Sequence, residues 1–246
     1  MRKGKEWLLF MMILLFLCGA AICFQPYING AVVDSTLKQE AQQFIDRITK
    51  PMHDFETVIG EEPVNTEPEV PYSELRQAME DYNQSIWEEK QEGLCDPWSY
   101  IQPSFVLGDY GLEEEVFGVL SIPRLDLELP LYLGASDENL SKGAAVLSQT
   151  SIPIGGNNTN CVIAGHRGWY GASYFRYLNE LQPGDEVIIT NLWESLHYTV
   201  VETTTIQPND VDAIHIRENR DLLTLLTCHP PASGGKERLL VFCERT

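Results

Sequence analysis

The stretch DLLTLLTCHPPASGGKER, residues 221–238, decides the fold. It begins as a strand apolar on both faces. Leu222, Thr224, Leu226 and Cys228 point one way, and Leu223, Leu225 and Thr227 the other. A strand of that kind belongs in the middle of a sheet or barrel, where both faces are covered. A polar loop follows, Pro230-Pro231-Ala232-Ser233-Gly234-Gly235, and a second apolar strand starts at Arg238 and runs through Phe242. A thiol therefore ends one strand and a guanidinium starts the next. A tight return between them brings both side chains to one edge of the fold.

That pairing carries chemistry. A nearby cation lowers a thiol's pKa and makes the nucleophilic thiolate more abundant. Arginine stays charged and offers fixed donors suited to an oxyanion. Taken by itself, Cys228 reads equally as a small buried hydrophobe, the commonest fate of cysteine.

Working outward, the residues from Val116 onward form short apolar runs at 117–122, 129–133, 160–164, 186–190, 196–205, 221–228 and 238–242. Pro123, Gly134, Pro183-Gly184 and Pro208-Asn209 punctuate them. Many short strands with such breaks predict an all-β barrel or sandwich. Short helical pieces are expected at 137–142 and 174–178, and there is no internal repeat.

Before residue 116 the pattern is different. Residues 7–24 are apolar and uncharged, long enough to span a bilayer, and Arg2, Lys3 and Lys5 precede them. The positive-inside rule puts the N-terminus in the cytoplasm and the rest outside. A retained anchor is the favoured reading. A cleaved signal peptide, using the small residues Gly19-Ala20-Ala21, is the alternative. Val33, Leu37, Phe44, Ile45 and Ile48 then recur at helical spacing and predict an amphipathic helix packed on the domain that follows. Residues 51–71, rich in Pro and Glu, read as a linker. A second helix follows with Ser73 as N-cap and Leu75, Met79, Tyr82 and Ile86 on one face. Next comes the loop Gly93-Leu94-Cys95-Asp96-Pro97-Trp98, whose Trp98 is expected to cover something apolar.

The chain has 246 residues and a formal net charge of −19, from 36 acidic and 17 basic residues. That balance excludes nucleic acid as a partner, since phosphates would be repelled. The six cysteines include no CxxC pair, so neither a zinc site nor a redox motif is indicated. Cys18 and Cys23 fall in the apolar run. Cys95, Cys161, Cys228 and Cys243 remain as candidates for disulfides, with the pairing open.

Five histidines are available to activate Cys228. His229 is adjacent and so faces the opposite way. His53 lies near the membrane, His197 inside a strand and His215 in a polar stretch. His166 ends the apolar strand Cys161-Val162-Ile163-Ala164 and is framed by Gly165 and Gly168, which let the backbone turn and a ligand approach. It is the catalytic candidate, a plain loop histidine being the alternative.

Thr224-Leu225-Leu226-Thr227-Cys228, Arg238-Leu239-Leu240-Val241 and Ala164-Gly165-His166 together resemble the sortase family, extracellular cysteine transpeptidases of Gram-positive cells. Ile122-Pro123-Arg124-Leu125, Leu129-Pro130-Leu131-Tyr132 and Leu181-Gln182-Pro183-Gly184-Asp185 agree, and the resemblance covers roughly residues 116–244. It implies a closed β-barrel of about eight strands with short helices, preceded by N-terminal helices. It implies Cys228, His166 and Arg238 as catalytic residues, with no metal or organic cofactor. Asp96-Pro97-Trp98 looks like the lid motif of class C, pilus-assembling sortases, in which the acid pairs with the catalytic arginine and the aromatic covers the cysteine. Cys95 beside it raises the idea of a locking disulfide to Cys228.

The expected organisation is a cytoplasmic tail at 1–6, a transmembrane anchor at 7–24, extracellular helices and linker at 25–92, a lid at 93–100 and a catalytic barrel at 101–246. The implied reaction is cleavage of an LPXTG-like sorting motif through a Cys228 thioester and transfer to a pilin lysine. Two other readings stand beside it: attachment of surface proteins to cell-wall peptide, and a membrane-tethered β-barrel that binds without reacting.

Overall fold

A computed structural model of the chain describes residues 2–55, 70–92, 94 and 103–246, with backbone alone for 2–6 and 50–55. Eight strands make a closed barrel. In chain order they are β1 (Val116–Ile122), β2 (Leu127–Leu133), β3 (Ala144–Val146), β4 (Thr159–Ala164), β5 (Glu186–Thr190), β6 (Ser195–Ile206), β7 (Asp221–His229) and β8 (Glu237–Arg245). Around the barrel the order is β1-β2-β3-β4-β7-β8-β6-β5, and β5 pairs back onto β1. β7 sits between β4, which runs parallel to it, and β8, which runs antiparallel. It is the central strand that its two-sided apolar pattern requires.

The two faces of β7 enter two separate cores. Leu223 and Leu225 point into the barrel with Phe117, Val119, Leu131, Ile163, Val187, Tyr198 and Val241. Leu226 lies outside with Val162, Ala164, Leu240 and Phe242, beneath Leu140 and Ile214. Each such side chain, fully buried, contributes roughly 1.5–3 kcal/mol of transfer free energy. Thr224 is tolerated in this setting because its hydroxyl donates to Asn160 Oδ1 (2.8 Å), and Asn160 Nδ2 donates to the Ile214 carbonyl (2.9 Å).

One helix, α1 (Arg2–Phe55), contains both the apolar run and the amphipathic segment. Its first part is long and apolar enough to cross a membrane and is a candidate anchor. Beyond it, Leu37, Ala41 and Phe44 are buried against the barrel. Lys38 pairs with Asp126 (2.7 Å), and Arg47 pairs with Glu114. The chain stays helical to Phe55, so the start of the expected linker is helix instead; residues 56–69 fall outside the described residues.

The second helix, α2 (Ser73–Glu88), buries Leu75, Met79 and Ile86 as its spacing predicts. Ser73 is not its cap: Tyr72 holds that position in the left-handed region with no side-chain cap, and Ser73 is the first helical residue. The third, α3 (Asp137–Lys142), is capped by Ser136, which accepts from the Asn139 amide (3.1 Å). In place of the helix expected at 174–178, residues 174–177 are turns, and a 3-10 segment starts only at Leu178 (Leu178–Glu180). Strand β3 escapes a periodicity reading because three residues of Ala-Ala-Val carry no alternation.

Candidate active site

Register builds the site. In the β7–β8 ladder Cys228 stands directly opposite Arg238. Residues 226 and 240 occupy the outer face, so Cys228 and Arg238, two positions along each strand, share that face. In the β4–β7 pairing, Ala164 lies opposite Leu226. The chain then continues past β4 without losing β7: the Gly165 amide donates to the Leu226 carbonyl (3.1 Å), and the Thr227 hydroxyl donates to the Gly165 carbonyl (2.7 Å). His166 follows immediately, so all three candidates gather at the same end of β4, β7 and β8.

Gly235 marks how close the thiol and guanidinium are. A Cβ at that position would sit 3.1 Å from Arg238 Nη1 and 3.2 Å from Cys228 Sγ, and its φ of +74° favours glycine. Arg238 is only 7% exposed. Its Nη1 donates to the carbonyls of Gly235 (2.6 Å) and Glu237 (3.2 Å), which aims the guanidinium across the hairpin mouth.

Two cations act on the thiol. Burial pushes the Cys228 pKa above the ordinary thiol range, while Arg238 and then Arg167 pull it down. Arg167 was not singled out from the sequence, although its position next to His166 was the available signal. Its Nη2 donates to Asn179 Oδ1 (2.5 Å), and its Nε and Nη1 are shielded without a hydrogen-bond partner among the described residues.

His166 is sandwiched. Its ring stacks on Trp169 with centroids 4.2 Å apart and planes 9° from parallel, and meets Tyr174 edge-on at 6.0 Å. Burial lowers its pKa, with Asp137 of α3 raising it in part. Trp169 is likewise a site residue that the sequence reading passed over, although it lies in the same glycine-framed loop. The loop is closed by a tight turn in which Trp169 and Ala172 exchange hydrogen bonds (3.2 and 2.8 Å). Phe175 donates to the His166 carbonyl (2.9 Å), and Tyr174 to the Ser141 carbonyl of α3 (2.6 Å).

The other histidines stay away. His197 is exposed and pairs with Glu186 (2.9 Å), and His215 lies beside Asp212 (3.8 Å). His229 pairs in register with Glu237. The His53 side chain falls outside the described residues, as do Asp96, Pro97, Trp98 and Cys95. Cys161, Cys228 and Cys243 are free thiols, the first and last buried. Among the described residues no group of three or more His, Cys, Asp or Glu converges on a point that could hold a metal.

A closed eight-stranded barrel with Cys and Arg facing each other across one hairpin, and His at the end of the next strand, defines a class. The sortase domain family model matches residues 120–246, and the chain belongs to the sortase family. It is similar to the solved structure of sortase C-1 from Actinomyces oris, with TM-score 0.62 and 32% identity over 71% of this chain and 98% of that one. It is also similar to a pilus-related sortase C of Group B Streptococcus, with TM-score 0.58 and 31% identity over 69% of this chain and 90% of that one. Among curated proteins, sortase A of Streptococcus agalactiae is 32% identical over 52% of this chain and 52% of its own length. The chain spans 52 to 63% of the length of the first curated relatives it matches.

Proposed function

We propose that the chain is a membrane-anchored cysteine transpeptidase that cleaves an LPXTG-like motif and joins it to a pilin lysine. The observation that carries this reading is the Cys228–Arg238 cross-strand pair with His166 one strand away. Cys228 Sγ attacks the Thr–Gly carbonyl of the sorting motif. Arg238, already aimed at the hairpin mouth, offers donors to the motif or to the developing oxyanion. His166 protonates the amine as the C–N bond breaks, leaving a thioester on Cys228. An acceptor lysine amine attacks the thioester, His166 takes its proton, the isopeptide bond forms and the thiol is restored. No step draws on a metal or organic cofactor.

The two pKa directions bear on this cycle. With Cys228 raised and His166 lowered, the neutral thiol and neutral imidazole outnumber the thiolate–imidazolium pair at pH 7. Both forms hold one proton between them, so the rate is flat between the two pKa values and falls on either side.

Pilin joining rather than wall attachment is supported by the reach of the likeness. The family model covers about half of the chain, whereas the sortase C match covers 71% and so extends into the N-terminal part. The second reading, transfer to a cell-wall peptide amine, uses the same three residues and differs only in the acceptor. In the pilin reading Asp96, Pro97 and Trp98 form a lid: Asp96 pairs with Arg238, Trp98 covers Cys228, and the N-terminus is cytoplasmic with the barrel outside.

Intact mass of the detergent-solubilised chain after incubation with an LPXTG-type peptide tests the reaction. An acyl adduct that is absent in Cys228→Ala is expected; no adduct with any motif of a panel would overturn it. Supplying a pilin lysine or a wall-peptide amine as acceptor separates the two readings. Asp96→Ala combined with Trp98→Ala is expected to raise the adduct rate, and an unchanged rate would remove the lid.

A further inference from the structure

The loop that carries His166 does more than cover it: it runs down α1 toward the end of the apolar segment. At its upper end the Ser173 amide donates to Asp34 Oδ1 (2.9 Å) and the Ser173 hydroxyl to Asp34 Oδ2 (3.0 Å). At its lower end Gly171 lies against Pro26 and Gly30 so closely that a Cβ on Gly30 would overlap the Gly171 carbonyl, and a Cβ on Gly171 the Pro26 carbonyl. The chain thus descends α1 from the level of Asp34 to that of Pro26–Gly30. Gly171, at the tip of the turn beside Tyr170, lies at that lower level.

The level can be placed against a bilayer. A hydrocarbon core of about 30 Å takes about 20 helical residues, and each headgroup layer adds roughly 5–8 Å. Counted from Trp7, where the apolar run starts, the core ends near Pro26. Gly30 lies about 6 Å further along the helix axis, inside the headgroup layer. No residue from Trp7 to Val33 is charged, and Asp34 is the first acid beyond them. In a chain of net charge −19, that leaves the segment facing this layer without an anion.

The tip itself is made for such a layer. Tyr170 is 78% exposed and Trp169 40%, with their rings in edge contact at 4.9 Å. Tyr27 on the adjoining turn of α1 is 76% exposed, and Ile28 and Val32 are exposed beside it. Tyr170 holds this place with φ +45° beside Gly171 at +91°, a left-handed pair that costs a bulky residue strain which Asn or Gly would avoid. Tyr and Trp are the residues that partition to the membrane–water interface. We propose that Trp169 and Tyr170 rest in the headgroup layer, so that the membrane surface forms one wall of the active-site entrance and His166 takes its stacking partner from a residue held there. This inference rests on the anchor reading of α1. It fits a substrate that presents its motif close to the same membrane.

The test uses the full chain reconstituted in phosphatidylcholine vesicles, with or without bromine near the headgroup end of the acyl chains. The Trp169 signal is the fluorescence of wild type minus that of Trp169→Phe. Bromine is expected to reduce that difference signal about twofold or more, as for an interfacial ring. An insertion of about seven Ala, Glu and Lys residues between Phe24 and Gln25 lifts the turn by roughly 10 Å, and should abolish the quenching. Retention of the chain by the vesicles after a carbonate wash reads the anchor separately. A retained chain whose Trp169 signal ignores bromine overturns the membrane contact alone. A Trp169 that ignores bromine yet is shielded from acrylamide only when a sorting peptide is added belongs to a substrate surface instead, and equally overturns it. A chain lost in the wash overturns the anchor and this inference together.

Discussion

Cys228 and Arg238 belong to one hairpin and meet through backbone register, whereas His166 rides on a loop whose Ser173 is tied to Asp34 of α1, 139 positions earlier. The hairpin needs only the β7–β8 ladder and a permissive Gly235. The histidine loop needs Asp34, Gly30, Trp169 and Tyr174, drawn from α1 and from the loop's own turns. The Cys228–Arg238 pair is thus set by short-range pairing, and His166 by tertiary clamps. Lesions in the hairpin should spare the histidine loop, and lesions in the loop should reach the thiol only through the weaker pull of Arg167, which gives a way to test the division.

The largest effect is expected for Arg238→Ala. Removing a preorganised donor costs about 10²–10³ in rate, and losing the nearest cation raises the Cys228 pKa further, since Arg238 lowers it. Acylation kinetics and the pH dependence of alkylation read the two consequences; a thiol pKa that falls would contradict the assignment. Next is Gly235→Val, which sets a branched side chain against both Sγ and the guanidinium at positive φ. With about 1–2 kcal/mol of backbone strain added to the contact, adduct formation should fall at least about tenfold, while the His166 ring resonances stay in place.

On the other side, Gly30→Val pushes the turn off α1. Transpeptidation is expected to fall about tenfold through misplacement of the histidine, with alkylation of Cys228 nearly unchanged. If alkylation drops in step with turnover, the two halves of the site are not independent. Asp34→Ala removes two hydrogen bonds from the loop, each worth about 1 kcal/mol, and should give a severalfold loss visible first as faster hydrogen exchange at Ser173. The smallest change is a shift without a collapse. Trp169→Ala uncovers His166, whose pKa burial lowers, so the acid limb of the kcat/KM profile moves to higher pH. A limb that stays put would show that the stacking does not tune the imidazole.

Against this division, what could be read from the sequence falls into a pattern. Seven of the eight strands are visible as apolar runs, because alternation and turn residues act over neighbours; β3 is too short to alternate. The membrane-length run and the buried faces of both N-terminal helices are visible for the same reason. Ser73 as a cap and a helix at 174–178 were wrong expectations. Pro71, just before left-handed Tyr72, accepts from Trp193 Nε1 (2.6 Å), and Ser173, just before the 174–178 segment, is held by Asp34, both partners lying far off in the sequence.

By itself, then, the sequence determined a β-rich domain behind an apolar helix, with Cys228, Arg238 and His166 as the residues of suitable chemistry, since residue type and strand period are local properties. Only the tertiary structure decided that β4 lies beside β7, that the charge of Arg167 is felt at the thiol and Trp169 stacks on the histidine, and that the histidine loop is pinned to the helix leaving the apolar run. Those relations join residues far apart along the chain, and no periodicity of one segment encodes which distant surface will cover it.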